Sequence, residues 1–452
     1  MKKNKKILLS LLALSLIIPG AVYAEGENES VSTDNEIVER KTIDGITTLE
    51  ADTIYENSYY VNEKDTENVI VVSNDMASLY GCDITKKGNA SSNENGVNAA
   101  VLNNNGTFSV DQGAITTNGT YAPALYVAGN GDTFINKTKV STTADNSNGI
   151  MNFGDGKITA TDLELNTTGK NSSAIYGGGL GRIFVTNGTY TTTGTNSPAI
   201  YSKGDILVKE ATLKSENSEG VVLYGAGAVT LDGVTLVTGN STTSGIYLQK
   251  GSSSDIETST LNVSNSNITI NSGDTLFVEN TLSVINFENS TVTNKNGKLL
   301  KIKADSSEGN DNINFVTLFL NNEKIRGDIE VTDNVSLSVN IDKESIFESN
   351  INKENKNAMI FLTISKNSTF ALTEDTYVTS LTNEEESNSN IYANGHKLYV
   401  NGEEVSINQE KYVSKVDTEK EGSSKTVLYI SILVGVILVA AAGIIVFLKK
   451  VK

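Results

Sequence analysis

The chain has 452 residues and a formal charge of −18, with one histidine, one cysteine and no tryptophan. So acidic a chain does not seek nucleic acid or anionic lipid. With only His396 and Cys82 to draw on, Ser–His–Asp or Cys–His nucleophiles and zinc clusters are excluded, and an exported domain must stand without an internal disulfide.

Residues 1–24 read as an export signal. Lys2, Lys3, Lys5 and Lys6 precede an apolar run from Ile7 to Ile18, which Pro19 and Gly20 break before Val22-Tyr23-Ala24. Residues 25–65 read as an acidic start and an N-terminal cap.

Residues 66–301 are self-similar. Ser78-Leu79-Tyr80, Ala100-Val101-Leu102, Ala124-Leu125-Tyr126, Gly149-Ile150-Met151, Ala174-Ile175-Tyr176 and Ala199-Ile200-Tyr201 form a series of apolar anchors. Val222-Leu223-Tyr224, Gly245-Ile246-Tyr247 and Thr275-Leu276-Phe277 extend it, and Leu299 adds a further step. The central residues advance by 22, 24, 25, 25, 25, 23, 23 and 30. After each anchor come a Gly/Asn/Asp turn, a short alternating strand such as Arg182-Ile183-Phe184-Val185, another turn and a Thr-rich strand such as Thr189-Tyr190-Thr191-Thr192. Three short strands in 22–25 residues match one coil of a parallel β-helix, each coil stacked on the last at about 4.8 Å. The regular return of apolar residues argues against low-complexity disorder. An antiparallel sandwich remains the rival, although it does not require so constant a period.

Residues 302–410 alternate less regularly and read as shorter or wider coils of the same solenoid, ending in a C-terminal cap. Asn394-Gly395 and Asn401-Gly402 predict closing hairpins, because Asn-Gly favours the type I′ turn. Residues 411–426 read as a polar stalk. Val427 to Leu448 carries no charge over 22 residues, the length of a transmembrane helix, and residues 449–452 form a lysine-rich cytoplasmic tail. The expectation is a single-pass protein of the cell membrane with an extracellular ectodomain. No Leu-Pro-x-Thr-Gly motif precedes the span, so the helix itself is the expected anchor.

The anchors, together with Phe370-Ala371-Leu372-Thr373, Tyr377-Val378-Thr379-Ser380-Leu381 and Ile391-Tyr392-Ala393-Asn394-Gly395, resemble the right-handed parallel β-helix superfamily, the pectin-lyase-like fold. Within it the chain resembles adhesin-like surface proteins of anaerobic Gram-positive bacteria and autotransporter passenger domains. The resemblance implies an all-β solenoid over roughly residues 66–407. It carries little about function, because this fold hosts lyases, glycosidases and adhesins alike. The chain departs from autotransporters in ending on an apolar run instead of a barrel.

β-Helix lyases and glycosidases work with carboxylates. Asp155 and Asp205 each follow their anchors by five residues, which predicts equivalent corners two coils apart. Gly-Asp at a turn is also ordinary turn chemistry. Arg182 is the lone arginine between residues 66 and 325, which disfavours a polyuronate lyase. The preferred reading is therefore a non-catalytic adhesin-like module with no metal or cofactor and a glycan or protein ligand. A polysaccharide lyase or glycoside hydrolase is the alternative, and a passive envelope spacer the third. Tyr126, Tyr176, Tyr201, Tyr224 and Tyr247 recur beside the anchors. Facing outward they form an aromatic strip for ligand; otherwise they are ordinary β-formers or the wall of a neighbouring layer.

Overall fold

The computed structural model describes residues 40–49, 51–240, 244–252, 257–304 and 314–416, all within one compact unit that begins at Arg40. Among them, three sheets of 11, 12 and 14 strands build most of the stack. Each strand pairs in parallel with its counterparts one coil before and one coil after: Ile150–Asn152 lies between Leu125–Ala128 and Ile175–Gly177. The chain is thus a parallel β-solenoid, and the sandwich is ruled out. We call the 11-stranded sheet the threonine sheet, the 12-stranded one the anchor sheet and the 14-stranded one the wide sheet.

The period-2 pattern explains which residues are inside. On the anchor sheet Val101, Leu125, Ile150, Ile175 and Ile200 stack in register and are fully buried. The wide sheet contributes Ile158, Ile183, Ile206 and Val229 to the same core. The third inner column differs. On the threonine sheet Thr117, Thr142, Thr167 and Thr192 are in register and fully buried. Buried hydroxyls require partners. Thr142 donates to the Ser147 carbonyl at 2.7 Å and Thr167 to the Ser172 carbonyl at 2.6 Å. Ser172 in turn accepts the Ser147 N–H at 2.9 Å, and Ser197 accepts the Ser172 N–H at 3.0 Å. The turns holding these serines approach closely. A Cβ on Gly194 would stand 1.8 Å from the Gly169 carbonyl oxygen, so glycine is required there.

The anchor series is right from Val101 to Ile200 and needs correction at both sides. Leu79 belongs to the wide sheet, between Tyr55 and Val110; the anchor of its coil is Ile70, in register with Val101. The loop before Val101 makes that coil long and hides the true step. Val221, not Leu223, follows Ile200, because the turn between Ser215 and Val221 is two residues shorter than that between Thr192 and Ile200. The anchor near residue 299 is Leu300, in register with Leu276.

Strands within residues 42–62 already stand in the sheets. Downstream, the wide sheet continues through Ser336–Asp342, Met359–Ile364 and Ser380–Asn383. The threonine sheet stops at Thr291–Asn294, and a four-stranded sheet starts at Lys324–Arg326. One of the two expected hairpins forms. Tyr399 pairs antiparallel with Glu404 around Asn401 and Gly402, whose φ values are 50° and 82°. Asn394-Gly395 does not make a hairpin, since Ile391–Tyr392 pairs in parallel with Thr369–Leu372. Residues 411–416 return along the coils: the Tyr412 N–H donates to Asn394 Oδ1 at 2.8 Å, and Ser414 Oγ to Glu348 at 2.6 Å.

Among the described residues no helix is long and apolar enough to cross a membrane. The export signal of residues 1–24, the apolar run of residues 427–448 and the tail of residues 449–452 lie outside the described residues.

Candidate functional site: the outer face of the anchor sheet

Residues that follow each inward anchor point outward. Leu102, Tyr126, Met151, Tyr176, Tyr201, Val222, Tyr247 and Phe277 therefore form one outer column, which Lys301 and Glu330 continue. Tyr224 is not in it. It lies two residues further along its strand, in a second column with Gln249, Glu279 and Lys303.

The five tyrosines face outward but are not equivalent. Tyr126 is 3% exposed, because the loop around Glu94–Gly96 folds over it. A Cβ on Gly96 would stand 2.6 Å from the Tyr126 ring, and Asn93 Nδ2 lies 3.9 Å from the Met151 sulfur. Tyr176 and Tyr201 stack with centroids 4.9 Å apart and planes 5° apart, Tyr201 and Tyr224 at 6.3 Å, and Tyr247 and Phe277 at 5.1 Å. Coil spacing enforces the Tyr176–Tyr201 and Tyr247–Phe277 stacks, since rings in register sit one strand spacing apart, whereas Tyr224 reaches Tyr201 from the second column. Ring faces in the ladder are occupied by neighbouring rings, so a ligand meets ring edges and phenol oxygens. Burial raises the pKa of Tyr176, Tyr201 and Tyr247, and pushes Tyr126 up to about 12, so the ladder is a neutral surface.

Two apolar side chains border the ladder at the next corner. Phe153 is 49% exposed and stacks on Tyr126 at 6.0 Å; Leu180, one coil on, is 85% exposed. Lys203 holds its ammonium 4.8 Å from the Tyr224 ring centre. Past Tyr247 the surface becomes charged. The Tyr247 hydroxyl donates to Glu279 at 2.5 Å, Lys303 reaches Glu279 at 2.8 Å, and Lys298 and Lys301 reach Glu330 at 2.7 and 3.0 Å. Phe277 was visible in its anchor triplet. Phe153, Leu180 and Lys203 were not, because they occupy turns whose length varies between coils.

A second concavity opens where the threonine sheet stops. This cleft of about 550 Å³ is lined by Asn294, Lys295, Arg326, Asp328, Thr373 and Glu374, with Thr373 Oγ1 donating to Asp328 at 3.0 Å.

The candidate carboxylate pair does not assemble. Asp205 is in register with Arg182 and forms an ion pair with it at 3.2 Å. Asp155 sits in the turn before Lys157, which is itself in register with Arg182. The turn after Ser202 is two residues shorter than the turn after Gly177, so equal spacing from the anchors did not mean equal corners. His396 lies in the Asn394–Gly395 turn, its Nδ1 3.9 Å from Asp375. Cys82 is fully buried, and burial raises its thiol pKa, which disfavours the thiolate. Among the described residues no group of three His, Cys, Asp or Glu side chains could hold a metal.

Fold and site together define a parallel β-solenoid whose outer anchor face carries a stacked aromatic ladder passing into ion pairs. No family model, curated protein or solved structure matches the chain.

Proposed function

We propose that this chain is a non-catalytic, adhesin-like protein of the bacterial cell surface. It is exported by residues 1–24, held in the membrane by residues 427–448, and displays the solenoid to bind glycan or protein ligands. Its kinship is with right-handed, pectin-lyase-like surface proteins of Gram-positive bacteria. The observation that carries the reading is the aromatic face itself: a neutral ladder bordered by Phe153 and Leu180, two large apolar side chains left in solvent. The five tyrosines divide the work. Tyr176, Tyr201, Tyr224 and Tyr247 offer edges and hydroxyls to ligand, while Tyr126 supports the covering loop.

Probing glycan and extracellular-matrix arrays with the protein tests this. A ligand is expected, with affinity falling roughly tenfold in a Phe153→Ser/Leu180→Ser variant through loss of apolar contact. Silence on both arrays would falsify the reading. The cluster Tyr247–Glu279–Lys303 favours one second reading, a polysaccharide-acting enzyme, because it brings an acid, a lysine and a tyrosine together. Release of oligosaccharide from pectins or other glycans, lost in Glu279→Gln, would establish it instead.

A further inference from the structure

Lys86 lies inside the solenoid. It is fully buried and occupies the inner column of the threonine sheet, in register with Thr117 one coil later. Further along the column Thr142 and Thr167 fit that corner by each donating to one carbonyl. A lysine brings an amine and a potential charge into the same space, at a cost that structures tolerate only with compensation. One coil earlier, its register partner is Asn62, also fully buried. Neighbouring parallel strands lie about 4.8 Å apart, so amine and amide leave the backbone side by side on the inner face.

The local hydrogen bonds hold both groups to one residue. Lys86 Nζ donates to the Lys64 carbonyl at 2.5 Å, while the Lys64 N–H donates to Asn62 Oδ1 at 2.9 Å. Asn62 Nδ2 donates to the Asn68 carbonyl at 2.8 Å and to Glu67 Oε2 at 3.1 Å. Gly88 leaves room for this arrangement, since a Cβ there would stand 2.5 Å from Lys86 Nζ. Burial lowers the pKa of the Lys86 amine against the opposing pull of Asp65 and Glu67, and favours the uncharged nucleophile.

We propose that Lys86 and Asn62 join in an intramolecular isopeptide bond, with Glu67 as the proton carrier. The Nζ lone pair attacks Asn62 Cγ and forms the new C–N bond. One Nζ proton passes to the Glu67 carboxylate, which returns it to Nδ2. The Cγ–Nδ2 bond then breaks and ammonia leaves, so that one amide replaces another and neither oxidant nor cofactor is consumed. The product ties two successive coils together near the start of the stack. It also removes the buried amine.

Tryptic digestion of the full-length protein followed by mass spectrometry tests this. The expected product is a branched species joining residues 42–64 to residues 65–87, uncut after Lys86 and lighter than its two components by one ammonia. Glu67→Gln, at a partly exposed side chain, is expected to leave the fold intact and return the two peptides in linear form. Lys86→Met, which keeps an apolar stem in the column, is expected to do the same. Linear peptides cut after Lys86 in the wild-type protein would overturn the proposal, as would an undiminished branched species in Glu67→Gln.

Discussion

The coils before residue 300 and those after it share one kind of core and differ in their polar seams. In the earlier coils Ile175 and Ile200 stack as Leu318, Val339 and Leu362 do in the later ones, all buried in one cluster. The earlier coils add the Thr–Ser ladder, in which Thr142 and Thr167 reach the Ser147 and Ser172 carbonyls. That ladder ends before its sheet does, since Ile270 stands in register with Thr238; after Asn294 a four-stranded sheet takes over and a cleft opens. Aliphatic columns therefore run through both regions, while the Thr–Ser ladder belongs to the middle coils alone.

The largest expected effect tests the shared half of this contrast. Ile200→Ala and Leu337→Ala remove fully buried side chains on either side of the divide, and each is expected to cost about 2–5 kcal/mol in denaturant unfolding. A much smaller cost at Leu337 would show that the later coils do not share the core.

The next effect depends on pH. Ser266 accepts the Val234 N–H, Ser290 the Ser266 N–H and Ser345 the Glu323 N–H in a turn ladder, where Glu323 takes the place of a serine and accepts the Ser290 N–H. Its second carboxyl oxygen is buried with no hydrogen-bond partner among the described residues, and burial raises its pKa from 4.5 to about 7. The folded state thus holds this proton more tightly than the unfolded chain. Stability should be greatest below pH 4.5 for this group and fall as pH rises toward 7, by about 3 kcal/mol in all. Glu323→Ser should flatten that part of the profile of melting temperature against pH; an unchanged slope counts against it.

Smaller effects separate the ladder from mere turn strain. Ser172→Ala removes the acceptor of the Ser147 N–H and is expected to cost about 1–3 kcal/mol by denaturant titration. Gly402→Ala meets no atom within 4 Å, so its cost is backbone strain alone at φ 82°, about 1–2 kcal/mol. If the Gly402 change proved the worse by several kcal/mol, the closing hairpin and not the ladder would be the more important device.

Most of the fold was legible because its cause is local. Alternating apolar residues and Asn or Gly turns recur with each coil, and from Leu125 to Ile200 the 25-residue step is the true register. The errors at Leu79 and Leu223 share one reason: an inserted loop and a shortened turn change coil length without disturbing apolar alternation. The switch of sheets after Asn294 showed in the sequence only as the less regular alternation of residues 302–410. For the site, outward tyrosines could be read from alternation, but burial of Tyr126 depends on a loop from the previous coil. Asn62 and Lys86 are 24 positions apart in the chain, and only the coil register brings them together.

The uniform middle coils have a bearing on how such a gene can change. Asn148 and Ser173, like Ser147 and Ser172, sit 25 positions apart and bond to each other across the turn. Excising residues 174–198 would join Ser173 to Ala199-Ile200-Tyr201, the same order that Ala174-Ile175-Tyr176 now supplies. Recombination that drops or copies one such block would shorten or extend the rod by a single strand spacing of about 4.8 Å and keep every seam in phase. The length of the stack could thus be adjusted in discrete steps, without any new solution to the folding problem.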